Sequence, residues 1–280
     1  MSTTSAAQYP DTLPLPEVYE GGAGTPLVLI HGFGGNWRMW KPVLAQLERH
    51  HRVIVPTLPG HSGGVPYKGV VTPSGIADAL AAQLRARGIA QAHIVGQSLG
   101  GYMAIEMVRR GLATSMTGVS AAGAWIDDPS YQALLKRIAG TFKLMPYLIP
   151  VLSPLMSITS LRKRFLRDEM EHGERMSAAE VRGMLRHAMQ CTIAGEFLGS
   201  RLPQVAALPA DDKTPLQMLL CGNDRVLTFA EFGQPLIDRL RLKTHTVLHG
   251  CGHNPMYDDP DTLARAILDF TRAVDDGKLQ

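Results

Sequence analysis

The chain has 280 residues, 45% of them hydrophobic, which is enough to bury one large core, with or without an inserted subdomain. Its 28 Lys and Arg against 25 Asp and Glu give a formal net charge of +3, which does not indicate a nucleic acid or an acidic membrane as partner, so we expect a small-molecule substrate. Three cysteines without paired spacing and a first segment without the pattern of an export signal predict a reducing, cytoplasmic setting (Cys191, Cys221, Cys251).

Predicted strands and helices alternate along the first third of the chain. After a proline-rich lead of about sixteen residues, an apolar strand over 25–30 runs into the loop HGFGG, and a helix follows over 37–49. A second buried strand over 52–56 runs into LPGHSGG, and the helix predicted over 73–87 ends near Gly88.

The next strand-to-helix turn carries a serine between two glycines. A short apolar run over 93–95 leads into GQSLG at 96–100 and then directly into a helical pattern. Glycines at both ends let the chain bend sharply and pass close to its neighbours, while the first turn of the helix directs N–H groups at any negative charge beside the serine. The pattern predicts Ser98 as a nucleophile at a nucleophile elbow, and its alternative is a serine that only caps the helix.

The second half continues the alternation after one long interruption. Residues 125–209 contain only helix-like segments and leave the sheet at the carboxyl end of a strand, where ligands bind in open α/β sheets. We therefore expect an α/β fold with a mostly parallel twisted sheet flanked by helices, a core over 1–124 and 210–280, and an inserted helical cap over 125–209. The remaining predicted elements are strands over 115–121, 216–221 and 244–248 and helices over 229–240 and 260–274.

One apolar segment of the cap is long enough to raise the question of a membrane. It runs over 144–161, as LMPYLIPVLSPLMSITSL. Its prolines, Pro146, Pro150 and Pro154, recur every fourth residue, and each removes a helix hydrogen bond. The sequence thus predicts short broken helices that cover a pocket, and no stable membrane insertion.

A serine hydroxyl needs a general base, and the base needs an acid that orients it. Among ten histidines, His253 lies in the loop GCGHNP after the last predicted strand, where catalytic groups are common. We interpret the others as solvated or structural, with His50 and His51 at a charged helix end and His31 and His61 in the two glycine loops.

For the acid, Asp224 leaves the predicted strand over 216–221 through a single glycine, which puts a carboxylate just above the sheet. Asp127 and Asp128 also follow a strand and are the competing acids, although a double aspartate before proline is typical of a helix N-cap. The backbone N–H groups of Leu99 and Phe33 are the predicted oxyanion hole, and His31 is expected to hold the Phe33 loop by hydrogen bonding.

Taken together, HGFGG, LPGHSGG, GQSLGG, GND at 222–224 and GCGH at 250–253 resemble the α/β-hydrolase fold family over nearly the whole chain. The resemblance implies a catalytic triad of Ser98, His253 and Asp224, an oxyanion hole at Phe33 and Leu99, a helical cap, and neither cofactor nor metal. Three positions depart from patterns of the family. Thr57 stands where many members have aspartate, Asn254 stands where carbon-carbon bond hydrolases often have tryptophan, and Ser98 stands where epoxide hydrolases and haloalkane dehalogenases need aspartate, which excludes these last two.

These residues predict a serine hydrolase that cleaves an ester or lactone through an acyl-enzyme. The Leu, Met, Phe and Ile content of residues 134–198 favours a small to medium, mainly apolar substrate. A carbon-carbon bond hydrolase, a lyase or a perhydrolase can use the same triad, and a ligand-binding receptor can retain it. These alternatives stay open, as does the oligomeric state.

Overall fold

The computed structural model describes residues 17–200 and 202–279, so the predicted proline-rich lead lies outside the described residues. Seven strands form one sheet within these residues, in the order β1-β3-β2-β4-β5-β6-β7. β1 is antiparallel to β3, and all other neighbours are parallel, which confirms the predicted mostly parallel sheet. The strands are β1 (Val18–Gly21), β2 (Thr25–Ile30), β3 (His51–Pro56), β4 (Ala92–Gln97), β5 (Ala113–Val119), β6 (Leu216–Cys221) and β7 (Thr246–Leu248).

Helices cover both faces of the sheet, because the central strands have apolar residues on both sides. In β2, Val28 and Ile30 pack towards one face, while Leu27 and Leu29 pack towards the other. The first face is covered by α2 (Pro73–Ala86), α3 (Leu99–Arg109) and α8 (Gln234–Leu240), and the second by α1 (Lys41–Leu47), α9 (Pro255–Asp258) and α10 (Pro260–Asp275).

The insertion between β5 and β6, called the cap from here on, contains four α-helices and no strand among the described residues, and its last part, 202–215, is irregular. A small core of its own, rich in methionine, includes Met145, Met156, Met170 and Met176. Its helices are α4 (Asp128–Leu155), α5 (Thr159–Leu166), α6 (Ala178–Met189) and α7 (Ala194–Gly199).

The prediction of short broken helices around the three prolines was wrong, because α4 is one continuous helix of 28 residues. Pro146, Pro150 and Pro154 are all exposed on its surface. The carbonyl groups that lose an N–H partner belong to Phe142, Pro146 and Pro150. The last two are exposed residues, so water can hydrate their carbonyl groups. The helix therefore continues through all three prolines.

Candidate active site

The turn between β4 and α3 holds Ser98 in a conformation that few residues adopt. Its φ of 53° and ψ of −121° lie outside the ordinary regions for a residue with a side chain. The Ser98 carbonyl accepts hydrogen bonds from the N–H groups of Gly101 and Ala122 at 2.8 and 2.9 Å, and the Ser98 N–H donates to the Val119 carbonyl at 3.1 Å. These bonds fix the strained backbone at the carboxyl edge of the sheet.

Two glycines make this turn sterically possible. A Cβ atom added at Gly96 would lie 2.0 Å from the Gly100 carbonyl oxygen, and one added at Gly100 would lie 2.1 Å from the Ile30 carbonyl oxygen. Since the blocking atoms belong to the backbone, no side-chain rotation can relieve the contacts.

His253 and Asp224, the predicted base and acid, form a buried hydrogen-bonded pair. His253 Nδ1 lies 2.8 Å from Asp224 Oδ2, and the two side chains are only 5% and 3% exposed. The other oxygen, Asp224 Oδ1, accepts the N–H groups of Val226 and Leu227, each at 2.8 Å. Both carboxylate oxygens are therefore occupied, and the side chain is held in a single orientation.

The electrostatics of the pair favour both charged forms. Burial alone would raise the pKa of Asp224, but the charge and hydrogen bond of His253 and the two amides bring it below its ordinary value. Burial likewise would lower the pKa of His253, yet the charge and hydrogen bond of Asp224 raise it. Since an ionised carboxylate cannot donate, His253 Nδ1–H is the donor and Nε2 is the nitrogen that can exchange a proton.

Ser98 and His253 are linked through Gln97. The Gln97 Nε2 group donates to the His253 carbonyl at 2.9 Å, which ties the histidine loop to the residue directly before the serine. No hydrogen bond joins Ser98 Oγ to His253 in the part of the chain that the structure describes. In unliganded enzymes the hydrogen bond between a nucleophile and its base is commonly long or poorly aligned.

The predicted oxyanion donors lie on two sides of this serine. Phe33 is in a tight turn closed by the Gly35 N–H and the Gly32 carbonyl at 3.1 Å, and a Cβ added at Gly32 would lie 3.2 Å from the Ser98 Cβ. Leu99 is the first residue of α3, so its N–H has no partner within the helix. Neither the Phe33 nor the Leu99 amide donates a hydrogen bond among the described residues.

His31 connects the Phe33 turn to the next glycine loop. Its Nδ1 lies 2.8 Å from the Gly32 carbonyl, and its Nε2 accepts the Leu58 N–H at 2.9 Å. Burial and the nearby His61, opposed by the bond to Gly32, lower the pKa of His31 to about 3, so the ring is neutral with its proton on Nδ1. These bonds agree with the loop-holding part expected of His31.

Aromatic and aliphatic side chains of the cap cover the Phe33 turn. Phe33 stacks on Phe197 of α7, with ring centroids 4.7 Å apart, and contacts Phe142 of α4 at 5.2 Å. A cavity of about 70 Å³ lies between the turn at Gly34 and α6. Its lining includes four methionines, together with Asn254 and Tyr257 (Met39, Met170, Met176, Met184).

The competing acid Asp127 has another role. Its side chain accepts the Ser130 N–H at 2.8 Å as the N-cap of α4, as predicted for a double aspartate before a proline. Asp128 is the first residue of the same helix.

Sequence reasoning missed Asp258, whose carboxylate joins the histidine loop to the cap. It accepts the Gly252 N–H at 2.7 Å and the N–H groups of Glu171 and His172 at 3.0 and 2.7 Å. The only signal in the sequence was the position of Asp258 before Asp259 and Pro260, a pattern that is typical of the start of a helix. In the structure that cap is Asp259.

A second cluster of possible metal ligands lies at the opposite edge of the sheet. The ligand atoms of His51, His93 and Asp275 lie within 4.8 Å of one another. Each ring nitrogen of the two histidines already has a hydrogen-bond partner. His51 Nδ1 lies 2.9 Å from the Thr25 hydroxyl, and His51 Nε2 lies 2.9 Å from the Thr271 hydroxyl. His93 lies 2.8 Å from Ser115 and 3.0 Å from Asp275. Hydrogen bonds within the protein thus satisfy the ring nitrogens of this cluster. His51 is the first residue of β3, so its predicted position at a helix end was wrong.

Comparison with known proteins places this architecture in a family. The chain matches the α/β hydrolase family over residues 27–266 and therefore belongs to it. It is an enzyme of the hydrolase class.

Relatives within this family carry different activities in their names. The chain is 31% identical to epoxide hydrolase EphH of Mycobacterium tuberculosis over 207 residues, which cover 70% of this chain and 92% of that protein. It is 25% identical to 2-hydroxy-6-oxo-2,4-heptadienoate hydrolase of Pseudomonas putida over 277 residues, 92% of this chain and 93% of that protein. A solved thermophilic esterase from Thermogutta terrifontis has the same fold, with a TM-score of 0.71 and 24% identity over 92% of this chain and 93% of that one.

Proposed function

We propose that the chain hydrolyses a carboxylic ester or lactone of a small to medium, mainly apolar substrate, with Ser98 as nucleophile, His253 as base and Asp224 as acid. The proposal depends above all on one observation. A serine held in a strained turn lies next to Gln97, which binds the loop of a buried histidine whose ring is already paired with a carboxylate.

In the first half of the reaction, His253 Nε2 takes the Ser98 hydroxyl proton while Ser98 Oγ bonds to the substrate carbonyl carbon. The carbonyl oxygen becomes an oxyanion that accepts the Phe33 and Leu99 N–H groups. His253 then gives its proton to the departing alkoxide, and an acyl-enzyme ester on Ser98 remains. For a lactone the leaving alkoxide stays attached to the acyl group.

In the second half, water replaces the leaving alcohol. His253 Nε2 takes a proton from water as its oxygen attacks the acyl carbon, and the same proton returns to Ser98 Oγ when the acid product departs. Asp224 stays ionised and stabilises the protonated imidazole in both halves, in agreement with the lowered pKa of Asp224 and the raised pKa of His253.

The preference for an apolar substrate comes from the cap. Phe142 and Phe197 contact the predicted oxyanion turn, and the lining of the neighbouring cavity includes four methionines beside the charged residues Arg38, Lys41 and Glu180. This cavity borders the histidine loop at Asn254, but its lining does not include Ser98 or His253. At about 70 Å³ it is also well below the roughly 300–1,000 Å³ of typical ligand pockets, so the proposed reaction requires the methionines or the cap to move and open a path to Ser98.

Carbon-carbon bond hydrolysis is the second candidate, because similarity to the heptadienoate hydrolase extends over 92% of the chain. Epoxide hydrolysis is a weaker candidate despite the name of the Mycobacterium tuberculosis relative. Attack of a serine oxygen on an epoxide carbon would form an ether, and water does not cleave an ether under these conditions. An aspartate nucleophile instead forms an ester, which water can hydrolyse. Ser98 therefore suits an acyl substrate.

The test compares p-nitrophenyl ester and lactone turnover by the wild type with that of Ser98→Ala. We expect a loss of roughly a thousandfold or more in kcat, because removal of a triad nucleophile leaves only binding and the oxyanion hole. Ser160→Ala, at an exposed serine of α5, is the matched control and should keep full activity.

Equal turnover by the wild type and Ser98→Ala would remove Ser98 from the mechanism. A dienoate substrate cleaved much faster than any ester would favour the carbon-carbon reaction instead. Reaction of Ser98 with a fluorophosphonate, combined with slow turnover and retained product, would indicate a ligand-binding receptor.

A further inference from the structure

The outer surface of the cap exposes an unusual number of large apolar side chains. Tyr147, Val151 and Leu144 are 79%, 62% and 56% exposed. With their neighbours they define the outer cap face, which consists of Leu144, Tyr147, Leu148, Val151, Leu155, Ile158 and Leu161. Contiguous apolar surface of this kind on a soluble domain usually marks a site of interaction.

The five of these side chains that belong to α4 fall on one side of it because they recur at helical spacing, while Ile158 and Leu161 lie at the start of α5. Leu144, Leu148, Val151 and Leu155 are separated by four, three and four residues, while Met145 faces inward and is buried in the methionine-rich core of the cap. The inner side of the helix is thus already used for packing. The outer side has no partner among the described residues.

The segment of the chain that carries this face has charges of one sign. Residues 129–167 contain seven Lys and Arg and no Asp or Glu, although the whole chain is nearly balanced. Within that segment Arg162 is buried and bonds the Met156 carbonyl, and Lys163 pairs with Glu174 at 3.3 Å. Lys143 and Arg164 are exposed at either end of the uncharged stretch.

We propose that the outer cap face docks on an anionic lipid surface, with its apolar side chains in the interface and the flanking cations on lipid phosphates. A helix with a large apolar face and basic residues beside it is suited to lie in the plane of a membrane. Anionic lipids add an attraction for each Lys or Arg near the surface.

The face lies on a membrane rather than spanning it. The part of α4 that carries no charge runs over 144–155, and at about 1.5 Å per residue it extends for roughly 18 Å, well short of the roughly 30 Å hydrocarbon core. By length and composition alone the whole of α4 is long and apolar enough to cross. Spanning would bury Lys136, Arg137 and Lys143 or strip Met145 from the cap core, and docking requires neither.

A second copy of the chain fits this face less well. Two such faces would bring Lys143 and Arg164 of both copies together, and like charges oppose association. An anionic lipid surface instead attracts the same two cations, because its charge is opposite to theirs. The proposal is independent of the reaction that the enzyme catalyses, because no residue of the outer cap face belongs to the proposed triad or oxyanion hole.

The test is co-sedimentation of the full chain with vesicles of phosphatidylcholine alone and of phosphatidylcholine mixed with phosphatidylglycerol. We expect binding to the mixed vesicles that weakens in high salt and is much weaker on the zwitterionic ones. The double variant Tyr147→Ser/Val151→Ser should lower the partition coefficient by about tenfold or more, since it removes apolar area from the face. Lys143→Gln/Arg164→Gln should lower binding to the mixed vesicles alone.

Matched controls change the same chemistry elsewhere. Val70→Ser/Leu279→Ser removes exposed apolar residues outside the cap, and Lys68→Gln/Arg87→Gln removes exposed cations there, so both should bind as the wild type does. In the variant Tyr147→Trp, mixed vesicles should shift the emission of the introduced indole to the blue, and brominated acyl chains should quench that emission.

Several outcomes would overturn the proposal. Absence of binding to mixed vesicles would do so, and so would an equal loss in the control variants. A dimer in light scattering that Tyr147→Ser/Val151→Ser dissociates, with no vesicle binding by any form, would assign the face to a second copy. Because every substituted side chain is exposed, unchanged thermal melting should accompany each of these measurements.

Discussion

At the scale of single residues, the pair of His253 and Asp224 depends on a balance between burial and charge. Burial disfavours both ions, but their hydrogen bond and mutual attraction outweigh it at each residue. Glu169 also raises the pKa of His253, whereas Arg137 lowers it. Removal of the Asp224 charge would therefore leave the burial of His253 largely unopposed.

This balance predicts the pH dependence of activity. In the proposed mechanism only neutral His253 can accept the Ser98 proton, so kcat/KM should fall as pH decreases through the pKa of His253, which lies above the ordinary 6.5. In Asp224→Asn the midpoint should move to lower pH, because burial then lowers this pKa, and the maximal rate should fall by roughly a thousand- to ten-thousandfold. The measurement is a pH profile of kcat/KM for an ester substrate.

Asp127→Asn is the matched control for this prediction. Asp127 caps α4, and asparagine caps a helix as well as aspartate does, so the profile should keep the wild-type midpoint. If Asp127→Asn damaged activity far more than Asp224→Asn, the acid would be misassigned.

At the scale of the elements, the tight crossing of β4, α3 and β2 explains why the serine turn is sensitive to small changes. Gly100→Ala would place a methyl group 2.1 Å from the Ile30 carbonyl oxygen, and α3 can avoid it only by moving off the sheet. We expect a loss of about 1–3 kcal/mol or more in the free energy of unfolding, measured by urea denaturation.

The control for Gly100→Ala is a glycine with open space around it. Gly140 lies inside α4, and nothing lies within 4 Å of a Cβ added there. Gly140→Ala should therefore stabilise the protein by up to about 1 kcal/mol through helix propensity. A Gly100→Ala variant as stable as Gly140→Ala would contradict the tight crossing.

The elements that the sequence predicted well are those with local signals. Parallel strands buried on both faces are short apolar runs, so β2 and β6 were predicted with the bounds that they have in the structure. The serine turn is equally local, since its two glycines and the serine lie within five residues. β1 was not predicted, because a four-residue strand at the edge of the sheet carries little pattern.

Elements and residues with distant partners could not be predicted. The prolines of α4 gave a local signal for broken helices, but which side of the helix faces solvent is decided by the fold. His51 looked like part of a charged helix end, whereas its partners Thr25 and Thr271 are 26 and 220 residues away. The Asp258 carboxylate likewise accepts hydrogen bonds from backbone N–H groups of two separate parts of the chain.

At the scale of the whole molecule, the cap and the core meet at the histidine loop through Asp258. Its carboxylate accepts one amide from the loop, at Gly252, and two from the cap, at Glu171 and His172. Next to it, Asn254 donates to the Glu169 carboxylate at 2.9 Å and, from its N–H, to the Glu169 carbonyl at 2.8 Å. The position of His253 and the position of the cap are thus set by the same few hydrogen bonds.

This connection predicts a coupled loss of stability and activity in Asp258→Asn. The variant removes the negative charge and turns one acceptor oxygen into an NH₂ group facing amide donors, so we expect a loss of roughly 1.5–3 kcal/mol in the free energy of unfolding. Because the same change loosens the His253 loop, kcat should fall. The midpoint of the pH profile should remain at the wild-type value. Asp259→Asn is the control, because Asp259 caps α10 and asparagine is an equally good cap. Urea denaturation and ester turnover of the two variants measure the difference, and equal values would mean that the carboxylate of Asp258 does not couple the cap to the site.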